Sequence, residues 1–184
     1  MDITSIIIQD GAGRPVNIKL NLTNIKAVGL TSGILSNFRA DLDNRILETD
    51  ATMQSATLSG KYDMDGKFLV LPMKGNGNCR MEFTGMKVAL KLIAEPLMKK
   101  GKQYWNVLEF KVKVTHLDKL VVNFDNLFNG DKVLGDNTNK VLNENWGGFW
   151  EELRPTFEDS FGQIFLYLAK QCFGKVPENE IFLN

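Results

Sequence analysis

The last third of the chain reads as one very long amphipathic helix. From about Gly130 to Phe173 the apolar side chains recur at the helical period. Leu142, Trp146, Phe149, Trp150, Leu153, Phe157, Ile164 and Leu168 fall within an arc of roughly 100°. At about 1.5 Å per residue such a helix spans on the order of 60 Å. A lone helix of that length must bury its stripe against something. Everything before it alternates like antiparallel strands, so the available partner is a sheet, curved enough to wrap it.

The strand signals are period-two runs with one face apolar. Ile3, Ile6, Ile7 and Ile8 make a short β-branched strand before a Gly11-Ala12-Gly13 turn. Val16, Ile18, Leu20 and Leu22 follow, then Phe38, Ala40 and Leu42, then Leu58, Gly60, Tyr62 and Met64. Asp65-Gly66 stands between two alternating runs and predicts a hairpin, with the return strand from Phe68 to Met73. Gly75-Asn76-Gly77-Asn78 predicts another turn. Met81 and Phe83 lead into Val88, Leu90 and Leu92, with the phase interrupted near Gly85, a bulge signal. Lys99-Lys100-Gly101-Lys102 predicts a basic hairpin tip. Leu108, Phe110, Val112 and Val114, then Leu120, Val122 and Phe124, complete the series. No strand-helix-strand rhythm occurs, so the fold class is α+β with an antiparallel meander. Gly60 and Gly85 permit the bending that wrapping a helix needs.

Within the helix signal, Asp131 is the expected N-cap. Asn137, Asn139, Asn143, Asn145, Gly147 and Gly148 weaken its first half. Pro155 lies opposite the stripe and is expected to kink the helix at 151–154. Ile164 to Leu168 is apolar nearly all round, which predicts enclosure on every side. Gly174 and Pro177 supply the stop.

Composition excludes several functions. Lysine plus arginine and aspartate plus glutamate both count 22, so no net field steers the chain to nucleic acid or an anionic membrane. No apolar run reaches the ~18 residues of a membrane span. Asp63, Asp65 and Gly66 lack the other ligands of a calcium loop, and no histidine cluster or zinc spacing occurs, so no metal is expected. Phosphate-cradling and nucleophile-elbow motifs are absent, and the one histidine, His116, reads as a surface or structural residue. No catalytic residue, cofactor or enzyme activity is expected. Cys79 and Cys172 read as two thiols, with a single bridge as the alternative. Asn21-Leu22-Thr23 is a glycosylation sequon on the polar face of its strand, used only if the chain is secreted.

What remains is a supply of 12 phenylalanines, 7 methionines and 3 tryptophans. An aromatic stripe facing a curved sheet leaves two alternatives: a filled core, or an elongated apolar tunnel that adaptable methionines suit. Candidate wall residues are the strand positions Ile18, Leu20, Phe38, Leu42, Tyr62, Phe83 and Phe110 and the helix positions Trp146, Phe149, Trp150, Leu153, Phe157 and Phe161. Tyr62 is a candidate to offer a hydroxyl to a ligand head group. Lys99, Lys100 and Lys102 mark a weaker membrane-touching alternative.

A resemblance bears on this choice. The run Asp125-Asn126-Leu127-Phe128-Asn129-Gly130-Asp131-Lys132-Val133-Leu134-Gly135, followed by Leu142-Asn143-Glu144-Asn145-Trp146, resembles the takeout family, the insect branch related to haemolymph juvenile hormone binding proteins. Phe38-Arg39-Ala40-Asp41-Leu42-Asp43, the stretch from Gly60 to Pro72 and the stretch from Lys175 to Leu183 are similar to that family too, so the likeness covers residues 1–184 as one domain. The resemblance implies a long helix wrapped by a strongly curved antiparallel sheet, the super-roll of tubular lipid-binding (TULIP) proteins. It also implies a secreted, extracellular carrier of a small hydrophobic ligand such as a juvenile hormone-like terpenoid or a fatty acid, linked to circadian behaviour and development. Such a carrier is expected to act as a monomer, without nucleic acid and without stable membrane insertion. Family members usually begin with a signal peptide and a short segment holding a cysteine pair; this chain is expected to lack both, so its localisation rests on the resemblance alone. A protein-interaction module with a filled core is the competing reading.

Overall fold

The computed structural model describes residues 2–9, 17–68 and 71–182, without the side chains of 8, 9, 17, 18 and 71. The strands are β1 (Asp2–Gln9), β2 (Asn17–Val28), β3 (Ile34–Asp41), β4 (Ile46–Phe68), β5 (Leu71–Lys99), β6 (Lys102–His116) and β7 (Lys119–Phe124). The helices are α1 (Lys132–Glu144), α2 (Trp146–Phe173) and α3 (Glu178–Ile181). The sheet order is β1-β2-β4-β5-β6, with β3 also on β4 and β7 also on β5. The registers of β1 with β2, β2 with β4, β3 with β4 and β5 with β7 are antiparallel. The predicted Gly11-Ala12-Gly13 turn, with Val16, lies outside the described residues.

Two compact units share these elements. The first holds residues 1–33, 53–86 and 116–157, and the second holds 34–52, 87–115 and 158–184. In the first, the strand residues Leu20, Leu22, Met64, Met81, Phe83, Leu120 and Val122 are buried, as are Leu142, Phe149, Trp150 and Leu153 of the helices. In the second, Leu92, Ala94, Trp105, Val107 and Ala169 form the core, with Leu47, Phe110, Leu166, Phe173 and Phe182 packed on it.

The long strands do not keep one phase. In β2 the buried positions change from Leu20 and Leu22 to Ile25 and Ala27. The step falls at a register shift beside Asn24, whose φ is 51°. In β4 they change between Met53 and Ala56, in β5 between Phe83 and Met86, and in β6 between Val107 and Val114. An extra residue on one strand bends it and restores the apolar face. The β5 step bears out the bulge expected near Gly85, where φ is +64° and an added Cβ would collide with the Asp118 carboxylate. In β6 the step overturns the reading that Leu108 shares a face with Phe110, since Leu108 is exposed.

Other expectations also need correction. Asp65-Gly66 is not a hairpin turn: β4 runs through it to Phe68, and Lys19 and Ile18 of β2 pair opposite. Gly75-Asn76-Gly77-Asn78 is not a turn either but part of β5. Its glycines admit another segment of backbone. A Cβ on Gly75 would lie 2.9 Å from Leu127 Cα, and one on Gly77 would lie 2.9 Å from the Asp125 carbonyl oxygen. The hairpin at Lys99–Lys102 forms as expected, with Lys100 and Gly101 both at positive φ, the two-residue turn that matches strand twist.

The long helix is two helices. Asp131 caps α1 through the Leu134 N–H at 3.0 Å, as predicted. Asn145 then departs to φ −111°, ψ 29°. Its side-chain amide donates to the Val141 carbonyl at 2.9 Å, and a side chain that competes for a backbone acceptor in this way favours a helix end. Pro155 sits exposed inside α2. The 164–168 stretch is not enclosed all round, because Tyr167 and Leu168 are 65% and 49% exposed.

The weak first half is held by tertiary contacts. Among the described residues strand β7 pairs only with β5, which leaves one edge open. Asn143 closes it at Val122, with Oδ1 accepting from the backbone N–H and Nδ2 donating to the carbonyl, both at 2.8 Å. Asn139 does the same at Phe124, at 2.9 and 3.0 Å. Four residues of helix rise about 6.0 Å, and two residues of strand about 6.6 Å, so successive amides meet successive outward backbone groups. Replacing Asn143 by alanine should leave a buried backbone pair unsatisfied and cost about 1–3 kcal/mol in urea unfolding. The same change at exposed Asn137 should be neutral or slightly stabilising.

Candidate functional site

The sequence-predicted wall residues divide between the two units. In the first unit, Leu20, Tyr62, Phe83, Phe149, Trp150, Leu153 and Phe157 are all buried. Their rings meet in edge-to-face and tilted pairs. Phe149 meets Phe68 at 5.5 Å and Phe124 at 6.4 Å, both edge-to-face. Phe83 meets Trp150 at 5.8 Å and Phe157 at 5.3 Å, and Trp150 meets Phe157 at 5.5 Å. Trp146 is half-buried, with the Lys119 ammonium 5.6 Å from its ring centre, a cation–π contact. The Ile18 side chain lies outside the described residues.

In the second unit Phe161 is buried and Phe110 half-buried, joined through Phe165 at 6.1 and 5.5 Å. The α2 backbone approaches β6 closely here, since a Cβ on Gly162 would stand 2.8 Å from the Phe110 carbonyl oxygen. Phe38 and Leu42, expected to face inward, do not. Strand β3 is exposed along its whole length, and Phe38 is 65% exposed. Its alternation is genuine, but only the β4 side is paired and no described element covers its face.

The candidate wall residues left out other interior side chains. Phe68, Met73 and Phe124 are fully buried, as is Trp105, which stacks on Phe173 at 5.6 Å and meets Phe182 at 4.7 Å in a tilted pair. Trp105 and Val107 do alternate directly after the hairpin tip, so a signal existed. It was hidden by the phase change that follows.

The interior is almost wholly apolar. Among the described residues the one buried polar side chain is Thr138. Five methionines, Met53, Met64, Met73, Met81 and Met86, line it beside the aromatic rings. Tyr62 is 3% exposed, and its hydroxyl donates to the Asp125 carbonyl at 2.5 Å. Its one proton is therefore committed to the backbone rather than offered to a head group. Burial, with the nearby Asp125 charge, pushes the phenol up to about 12. Burial likewise pushes the Cys79 thiol up to about 11, so it is held as the unreactive protonated form. Cys79 and Cys172 are both free, the first buried and the second exposed. His116 Nε2 stands 2.7 Å from Asp118 Oδ1 on the surface. Among the described residues no cluster of potential metal ligands occurs, and no helix is long and apolar enough to cross a membrane.

An antiparallel sheet bent by phase changes onto a C-terminal helix, with an aromatic and methionine interior, defines an α+β protein with a TULIP-like fold. The comparisons agree. The family model for haemolymph juvenile hormone binding protein matches residues 1–183, and the chain belongs to that family. The chain is 27% identical to the circadian clock-controlled protein daywake of Drosophila melanogaster over 190 residues, 97% of this chain and 71% of that protein. It is 26% identical to the Drosophila yakuba daywake, over 99% of this chain and 72% of that protein. The crystal structure of Epiphyas postvittana Takeout 1 matches with a TM-score of 0.83 and 27% identity, over 96% of this chain and 80% of that one. Proteins of this family are carriers that bind small hydrophobic molecules rather than enzymes.

The Tyr62 phenol sets one pH dependence. Its folded value of about 12 exceeds the ordinary 10.0, so the unfolded chain loses this proton first. The contribution is complete below pH 10 and is lost as pH rises toward 12. The urea midpoint should fall across that window. Tyr62→Phe should flatten this fall and cost about 1 kcal/mol at pH 7 through the lost hydrogen bond.

Proposed function

We propose that the chain is a secreted, non-catalytic carrier that holds a small hydrophobic ligand in an internal apolar tunnel. The ligand is a juvenile hormone-like terpenoid, a fatty acid or a related lipid. One observation carries this reading: the family's carrier fold here encloses an interior with a single buried polar side chain among its described residues. Such an interior binds by burial, at about 25 cal/mol per Å² of apolar ligand surface. Methionine side chains adapt to varied tails, and rigid rings supply area at low entropic cost. Residues Leu20, Phe83, Phe149, Trp150, Leu153 and Phe157 of the first unit are the proposed contacts. Residues 1–184 act in this reading as one domain and a monomer, in the extracellular space, without nucleic acid and without stable membrane insertion. Asn21 is exposed on β2, paired between Ile7 and Asp63, and is the proposed glycan site. The daywake relatives are named as clock-controlled, and a circadian setting for this chain is part of the proposal.

A second reading has its own observation. On β3 the side chains Ile34, Leu35 and Phe38 are 69%, 64% and 65% exposed, a patch of the kind that marks protein contacts. An interaction module with a filled core would self-associate or bind protein through it.

Organic extraction and mass spectrometry of secreted protein should recover stoichiometric lipid, and the delipidated protein should enhance Nile red fluorescence. Leu153→Trp, which fills the interior, should weaken the dye by about tenfold, about 1.4 kcal/mol. Folded protein that yields no lipid and leaves the dye unchanged, with light scattering showing lipid-independent association, would favour the second reading.

A further inference from the structure

Helix α3 carries a carboxylate into a polar seat that adjoins an apolar core. Glu178 Oε2 accepts a hydrogen bond from Gln103 Nε2 at 2.6 Å and stands 3.5 Å from Arg45 Nη2. The Arg45 and Glu178 side chains are only 17% and 24% exposed. Yet Arg45 is poorly satisfied. Its Nη1 reaches the Asp43 carbonyl at a long 3.4 Å, and its Nε is buried with no acceptor among the described residues. A guanidinium presents its donors as a planar fork, which suits a bidentate oxyanion. Glu178 at 3.5 Å fills that fork incompletely.

An open cleft of ≈ 470 Å³ adjoins this group, lined by Leu42, Lys102, Gln103, Glu178 and Phe182 among others. Phe182 connects it to the core. The ring lies 4.7 Å from Trp105. Trp105, in turn, packs with Leu92, Ala94, Val107 and Ala169. The Trp105 Nε1–H is also buried without an acceptor among the described residues. Two unpartnered buried donors therefore lie behind the cleft's lining, Arg45 against Glu178 and Trp105 against Phe182.

We propose that this cleft seats the head group of an anionic amphiphile, a long-chain monocarboxylate, and that Glu178 occupies the seat until the ligand's carboxylate displaces it. The exchange conserves charge: one carboxylate leaves Arg45 as another arrives, so no buried cation is stranded. The incoming group takes the place of the Glu178 carboxylate, against Gln103 and the Arg45 Nη2, and its chain follows Phe182 toward Trp105. Besides the packing of Phe182 on Trp105 and Phe173, surface contacts tie the C-terminal segment. Lys102 Nζ lies 3.2 Å from Glu180 Oε1, and Lys99 Nζ donates to the Gly174 carbonyl at 3.2 Å. Exposed pairs of this kind hold a segment weakly. A neutral ester offers an acceptor but no charge, so it leaves Glu178 in place.

The proposal rests on the carrier reading, and the test separates the two. Palmitate and methyl palmitate compete against Nile red on the full chain at pH 8. The wild type should prefer the acid. Glu178→Gln keeps an acceptor for Gln103 but removes the competing charge. Palmitate should then bind about tenfold tighter, the scale of one charge-assisted contact, with methyl palmitate unchanged. Arg45→Met should abolish the acid preference, and where that variant does not fold, Glu178→Gln alone decides. If both ligands bind and Glu178→Gln leaves the acid-to-ester ratio unchanged, the head-group seat is wrong and the carrier reading stands. If neither ligand nor dye binds folded protein, both fall together.

Discussion

Backbone groups at an open strand edge must find partners, and in this protein the helices supply them with side chains. Asn139 and Asn143 act on β7 as a neighbouring strand would, each offering one acceptor and one donor to a single residue. In the second unit, Glu158 on α2 accepts the Val114 N–H of β6 at 2.8 Å. These bonds fix how far along each strand the helix sits. They turn an apolar contact, which is non-directional, into one with a register. The aromatic contacts of Phe149 and Trp150 follow from that register, because α2 begins two residues beyond Glu144, where α1 ends.

Curvature is the second requirement. Strand β5 is 29 residues long and β4 is 23. A strand of that length accumulates twist and cannot keep a strict period-two face against one helix. Each changes phase once among its described buried positions, and Gly85 shows the local chemistry. Its positive φ and the crowding by Asp118 exclude a side chain there. The cost is legibility, since a phase change looks like noise in an alternating pattern.

The two conditions together explain the interior. Helix side chains are committed to the sheet edge by polar contacts and to its face by aromatic ones. The space between is left to methionine and phenylalanine, which pack without polar partners. Arg45, Gln103 and Glu178 form a polar cluster in the second unit. That division suits a carrier, in which an apolar body sets affinity and a few polar atoms set orientation.

Several features were legible in the residues alone. The period of the helical stripe gave Phe149, Trp150, Leu153 and Phe157 as buried, Asp131 as a cap and the basic turn at Lys100-Gly101, since each rests on local chemistry. The Asp-Asn-Leu-Phe-Asn-Gly-Asp run pointed to the family that the comparisons support. Non-local facts were not legible. Phe38 and Leu42 alternate like core residues but are exposed, because whether a strand face is covered depends on what packs there. Gly75 and Gly77 look like turn residues, yet they serve a close approach by residues 125–127, some fifty positions away. Asn139 and Asn143 lower helix propensity locally and repay it only when β7 lies alongside. Sequence determined the elements, the apolar stripe and the family, because propensity and periodicity act between near neighbours. Tertiary structure alone decided which faces are covered, where strands change phase and which donors lack partners, because those depend on residues that meet only after folding.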